Sequence, residues 1–150
     1  MQKMRLLPSL LIFFTDCSGT PAWAQTDASL TEGQQKAAAG DIEGALAVYE
    51  GLTRSQPDSH EAYAHLGGMQ LLDQRYADAV KSFQRAISLG DSEPRSFIGM
   101  GMAYLHMGRY GAARAAFVEA RSRRTGNTKD IDDIIAWIDT RNPDAAPTHP

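Results

Sequence analysis

Residues 60–93, HEAYAHLGGMQLLDQRYADAVKSFQRAISLGDSE, decide the fold, because their key positions return at a fixed interval on either side. Gly33, Gly67 and Gly101 are 34 residues apart, as are Ala45, Ala79 and Ala113, and as are Tyr49, Phe83 and Phe117. Self-similarity at this period is the mark of stacked supersecondary units. Three blocks follow one another without insertion, 26–59, 60–93 and 94–127, and each reads as one pair of helices. The small residues, Gly33 with Ala45 and their counterparts, fall where two antiparallel helices must approach closely. Tyr49, Phe83 and Phe117 then fill the space between successive pairs. Gly40 and Gly108 stand where the first helix of a pair ends and turns back. Gln74 holds that place in the middle block, which predicts a strained or differently shaped turn there.

These residues resemble the tetratricopeptide repeat. That family's pattern has an aromatic at the fourth place, Leu-Gly at the seventh and eighth, Tyr at the eleventh, Ala at the twentieth, an aromatic at the twenty-fourth, Ala at the twenty-seventh and Pro at the thirty-second. The second block supplies Tyr63, Leu66, Gly67, Ala79, Phe83 and Ala86, and departs with Gln70 and Asp91. The third supplies Phe97, Gly101, Tyr104, Ala113, Phe117 and Ala120, with Met100 for the Leu and Thr125 for the Pro. The first keeps Gly33, Ala45, Tyr49 and Pro57, but has Ser29 and Glu32 where the aromatic and the Leu belong. The resemblance implies an all-α, right-handed superhelix of antiparallel helix pairs over residues 25–141. Residues 128–141 repeat the first-helix pattern once more, with Ile131, Ile134, Ile135 and Ile138 inward and Asp130, Asp133 and Arg141 outward. They read as a capping helix that shields the last apolar face of the array. The Pro-rich stretch 142–150 has nothing to bury and reads as a disordered tail.

Length and composition agree with one modest domain: 150 residues, 43% hydrophobic, net charge −3. The charge balance argues against nucleic acid as a partner. A single cysteine, Cys17, excludes an internal disulfide and a Cys-pair zinc site. No run of eighteen apolar residues exists, so no conventional membrane-spanning helix is expected. The first 24 residues have the order of a secretory signal peptide: Lys3 and Arg5, the apolar run Leu6–Phe14, then Ala22-Trp23-Ala24. The small residues Ala22 and Ala24 place the cleavage before Gln25 and the mature chain in the periplasm or otherwise outside the cytoplasm. Asp16 beside Cys17 argues against a lipid anchor.

A scan for chemistry finds no convergent nucleophile, acid and base, so the chain does not read as an enzyme and no cofactor is expected. His60 and His65, five residues apart, lack the spacing of a helical zinc pair and read as surface histidines. Gly99-Met100-Gly101 has no preceding strand and no third glycine, since Tyr104 stands there; helix packing accounts for it. Met102 and His106, with Met100 and Met107 on the same helix, could hold a soft metal such as cuprous copper, although Met at such places ordinarily packs. Arg121, Arg123 and Arg124 fall where they complement the negative end of the helix closing the third block.

The resemblance also implies where a partner binds. In the family the first helix of each pair lines a concave face through its second, fifth, sixth, ninth, twelfth and thirteenth places. Those places hold Leu30, Gln34 and Ala37; then Ala64, His65, Gly68, Leu71 and Leu72; then Ile98, Met102, Leu105 and His106. The capping helix adds Asp132, Asp133 and Asp139, and Asp27 and Glu61 stand at second places, which gives an apolar floor with an acidic rim. Leu30, Ala64 and Ile98 at the fifth places contradict the family's clamp for dicarboxylate tails. Such a groove suits an amphipathic helix or an extended peptide carrying basic residues. A protein partner in the cell envelope follows, with the chain acting as adaptor or assembly factor. The alternatives are a permanent accessory subunit of a larger envelope or membrane complex, a copper carrier, and self-association through the same apolar residues.

Overall fold

A computed structural model describes residues 22–141, which form seven helices: α1 (Ala22–Ala38), α2 (Ile42–Ser55), α3 (His60–Leu72), α4 (Tyr76–Ser88), α5 (Pro94–His106), α6 (Tyr110–Arg123) and α7 (Lys129–Arg141). No strand occurs among the described residues. The expected leader up to residue 21 and the expected tail at 142–150 lie outside them.

The helices begin and end where local chemistry dictates. Asp41 caps α2 by accepting from the Gly44 amide at 2.9 Å, and Ser59 caps α3 by accepting from the Ala62 amide at 3.2 Å. Pro94 opens α5 at a position whose N–H would have no partner inside the helix. Each pair turns through one residue in the left-handed region: Gly40 at φ 80°, Gln74 at φ 62° and Gly108 at φ 69°. The amide after each turn bonds back to the closing turn of the helix, Asp41 to Lys36, Arg75 to Gln70 and Arg109 to Tyr104, at 2.8–2.9 Å. The middle turn therefore keeps the shape of the other two. Its glutamine carries the strain, since a side chain in this region costs energy that glycine avoids.

The small-against-large pairing is realised three times. A Cβ added at Gly33 would stand 2.5 Å from Tyr49, at Gly67 3.0 Å from Phe83 and at Gly101 2.9 Å from Phe117. Those aromatics are almost fully buried, as are Ala45, Ala79 and Ala113. One approach is additional: Gly99 on α5 meets the tip of Phe83, where a Cβ would stand 2.4 Å away. Phe83 thus wedges against its own pair and the next one at once.

Neighbouring helices pack in sequence order, and α3 also touches α5 directly, while α4 and α6 stay farther apart. Between the second and third repeats the first helices therefore close up while the second helices splay, which curves the array. The concave side is that of α1, α3 and α5. Two buried clusters share the core, one around Leu46, Tyr49, Leu52 and Leu66, the other running from Phe83 through Phe117 to Ile131, Ile135 and Ile138. The isoleucines of α7 close the second cluster, as the capping role requires.

Candidate functional site

On the concave side α3 and α5 leave an open cleft of about 330 Å³. Its walls are Ala64, Gly68, Met69 and Leu71 from α3 and Ile98, Gly99 and Met102 from α5, with Phe83 beneath. The small residues make the depression, because Gly68 has open space where a side chain would stand. Two polar side chains reach it, His65 and Arg95.

His65 is not the surface histidine that its sequence setting suggests. Its ring lies flat on Tyr49, with centroids 5.1 Å apart and planes within 8°. Its Nε2 is buried with no hydrogen-bond partner among the described residues, and the nearest carboxylate oxygen, Glu61 Oε1, is 3.9 Å away. Burial pushes the imidazole pKa down, Arg95 pushes it further down, and Glu61 opposes both. The neutral ring is therefore the favoured form. Burial likewise raises the Tyr49 hydroxyl.

The structure brings Ala64, His65, Gly68, Leu71, Ile98 and Met102 together in this cleft and leaves the other expected groove residues outside it. Leu30 packs in the buried cluster between the first two repeats, outside this cleft. Ala37 packs against that same cluster, and Gln34 is exposed on α1. Leu72 stands 61% exposed at the end of α3, and Leu105 packs on the second cluster. The His106 ring stacks on Tyr76 at 4.6 Å. No group of three His, Cys, Asp or Glu side chains suited to a metal occurs among the described residues.

The capping carboxylates also serve differently from the acidic rim expected of them. Asp139 takes two hydrogen bonds from Arg114, at 2.6 and 3.3 Å, in a half-buried pair. Asp132 pairs with Arg121 and Thr128, and Asp133 with Lys129. Arg124 bonds Asp130, and Arg123 pairs with Glu119 while covering the Phe97 ring. Arg121 and Arg124 of the basic run thus fasten α7 to the end of α6 through carboxylates, beyond any role at the helix end.

Sequence reasoning missed a second and larger cleft. It lies on the outer seam between α4 and α6, about 520 Å³, with Phe97, Met100 and Tyr104 of α5 as its floor and Ile87, Ala112, Ala115 and Ala116 as its walls. The available signal was the alanines: one period earlier the same places hold Asp78, Lys81 and Ser82.

Comparison with known proteins agrees with this geometry. Two family models described as tetratricopeptide repeat match residues 30–94 and 94–122. No curated protein matches the chain. Among solved structures, the type III secretion translocator chaperone SycD of Yersinia enterocolitica superposes with a TM-score of 0.78 at 14% identity, over 85% of this chain and 92% of that one. PcrH in complex with the chaperone binding region of PopD gives 0.76 at 16% identity, over 81% and 96%. The TPR2B domain of yeast Sti1 with its pHsp70 complex gives 0.73 at 15%, over 79% and 98%. At such identities these likenesses speak for the fold. With the family models matched across three successive helix pairs, the chain belongs to the tetratricopeptide repeat family.

Proposed function

We propose that this protein is a non-enzymatic interaction module that holds a helical or extended peptide segment of a protein partner along its concave face. The observation that carries this reading is the α3/α5 cleft, an apolar, solvent-open depression on the inner side of a curved array. Stacked repeats present such a surface on rigid helices, so little ordering is needed when a ligand arrives. Met102, Leu71 and Ile98 offer adaptable apolar contact. Support by likeness comes from PcrH with the chaperone binding region of PopD, SycD with a peptide of YopD, and the Sti1 domain with pHsp70.

The order of residues 1–24 supports export, with cleavage before Gln25, and hence a partner in the cell envelope and a role as adaptor or assembly factor. N-terminal sequencing of the protein recovered from its host should begin at Gln25; an N-terminus at Met1 would remove the envelope setting.

The groove itself is tested by affinity purification from the native envelope, with mass spectrometry, beside a Leu71→Asp, Met102→Asp variant shown by circular dichroism to stay folded. One partner that appears with the wild type and vanishes with the variant places binding in the groove. A partner retained by both places it elsewhere, the outer cleft first.

A further inference from the structure

Three helices of the array meet at one ring. Tyr49 of α2, 1% exposed, fills the space over Gly33 of α1, where a Cβ would stand 2.5 Å away. Its other contact of note is with α3, through the flat stack with His65 at 5.1 Å. The core divides nearby: Leu30, Leu46, Tyr49, Leu52, Ala62 and Leu66 belong to one buried cluster, and the cluster that runs from Ala79 to Ile138 is separate from it. Among the described residues α1 adds a single buried hydrophobic side chain, Leu30, because Ser29 and Glu32 stand where the other repeats have Tyr63 or Phe97 and Leu66 or Met100. A small cluster with its own boundary opens at lower free energy than the whole molecule does.

At that boundary the imidazole favours its neutral form. The groups that face it are Tyr49 from α2, Glu61 from α3 and Arg95 from α5, so that one carboxylate opposes one guanidinium and burial decides against the charge. A charged ring carries an N–H on both nitrogens. The one at Nε2 has no hydrogen-bond partner among the described residues, and Glu61 Oε1, at 3.9 Å on a half-exposed side chain, is beyond hydrogen-bond reach. Water supplies the missing acceptor once α2 lifts away, and the desolvation cost goes with it.

We propose that the joint between the first and second repeats is an acid-operated hinge: a proton on His65 drives α1 and α2 off α3 as one unit while α3 to α7 stay packed. The faces that Leu46 and Leu52 on α2 and Ala62 on α3 contribute to the first cluster then open to solvent. The second joint is held by Phe83 against Gly99, a contact that no proton alters. The hinge needs no ligand and is independent of what the concave face holds. Its sign follows from linkage: the released ring binds a proton more readily than the packed one, so opening is favoured as pH falls. With a released ring of ordinary pKa, about 6.5, the opening constant rises by up to about tenfold between about pH 7.5 and about pH 5.5.

The test is native-state hydrogen exchange read by mass spectrometry on the purified protein at those two pH values, with rates corrected for the pH dependence of exchange in an unfolded chain. His65→Phe, which keeps a ring against Tyr49 and takes no charge, and His65→Gln are run beside it, both checked by circular dichroism. Amides of α2 in the wild type should open about five- to tenfold more often at the lower pH, and those of α5 to α7 less than about twofold more often. Both variants should lose the rise in α2. A proton resonance titration of the wild-type imidazole, which depends on no variant, should place the His65 midpoint below about 6.5. A rise shared equally by α5 to α7, a rise in α2 that survives both substitutions, an α2 rate that does not change with pH, or a His65 midpoint at or above about 6.5 overturns the proposal.

Discussion

The two outer seams of the array occupy equivalent places one period apart, yet charged and polar side chains stand along one where alanines line a cleft in the other. Between the first and second repeats, Arg75 reaches Glu50 at 3.5 Å and Asp78 at 3.2 Å, and Lys81 joins Asp78. Below them, Ser82 donates to the Gln70 side chain at 2.6 Å, and Arg85 lies over Tyr63. Between the second and third repeats the corresponding places hold Ala112, Ala115 and Ala116, and a cleft of about 520 Å³ remains. Repeats of one backbone plan thus differ in what they leave open. The plan is fixed by the glycine and aromatic places, whereas the seam is filled by places the repeat does not specify.

Phe83 ties the second repeat to the third, touching Gly67 in its own pair and Gly99 in the next. Phe83→Ala should therefore lower stability by about 3–5 kcal/mol in urea unfolding. A loss below about 2 kcal/mol would mean that the pairs hold together without it. Ser82→Ala removes a buried hydrogen bond inside the second repeat and should cost about 1–2 kcal/mol, since Gln70, 5% exposed, keeps a carbonyl without its donor. The open seam should respond in the opposite sense. Ala112→Leu adds apolar volume to the outer cleft and should stabilise by about 1 kcal/mol. Asp78→Leu at the equivalent place removes the partner of Arg75 and Lys81 and should not stabilise. A destabilising Ala112→Leu would show that the cleft has no room to give.

Gln74→Gly relieves the middle turn and should raise stability by about 0.5–1 kcal/mol, the difference between a strained side chain and the extra freedom of unfolded glycine. The smallest effect concerns pH. The lowered pKa of His65 means that the unfolded chain binds more protons than the folded one below about pH 6.5, so stability falls as pH drops through that region. Asp41, Asp78, Asp130 and Asp132, whose pKa values are lowered by hydrogen bonds, contribute stability that is lost only below the ordinary carboxylate value of 3.8. Between about pH 7.5 and about pH 5.5, His65→Gln should therefore flatten the fall in melting temperature. An unchanged slope would assign it to other groups.

The inner cleft was partly legible in advance. Ala64, Gly68, Leu71, Ile98 and Met102 could be placed on one face because the 34-residue period and the helical period together fix which side chains point inward. His65 could be placed but not understood, since its burial depends on Tyr49 arriving from the preceding pair. The membership of Leu30 in the first buried cluster was hidden too, because it depends on how α1 packs against the residues of α2 and α3. The partners of Asp132, Asp133 and Asp139 were hidden for a related reason: two of the three come from α6, and only the docking of α7 brings them within reach.

By itself, the sequence determined the helix pairs, their turns, the glycine and aromatic contacts and the need for a closing helix. All of these are local or recur at a fixed spacing, so composition and period suffice to specify them. The tertiary structure alone decided that Gly99 meets Phe83, that the Nε2 of His65 is buried without a hydrogen bond, that Arg95 lines the inner cleft, and that a cleft remains on the second outer seam. Each of these depends on the angle at which one pair meets the next. That angle comes from the summed packing of many side chains, with no short motif to announce it.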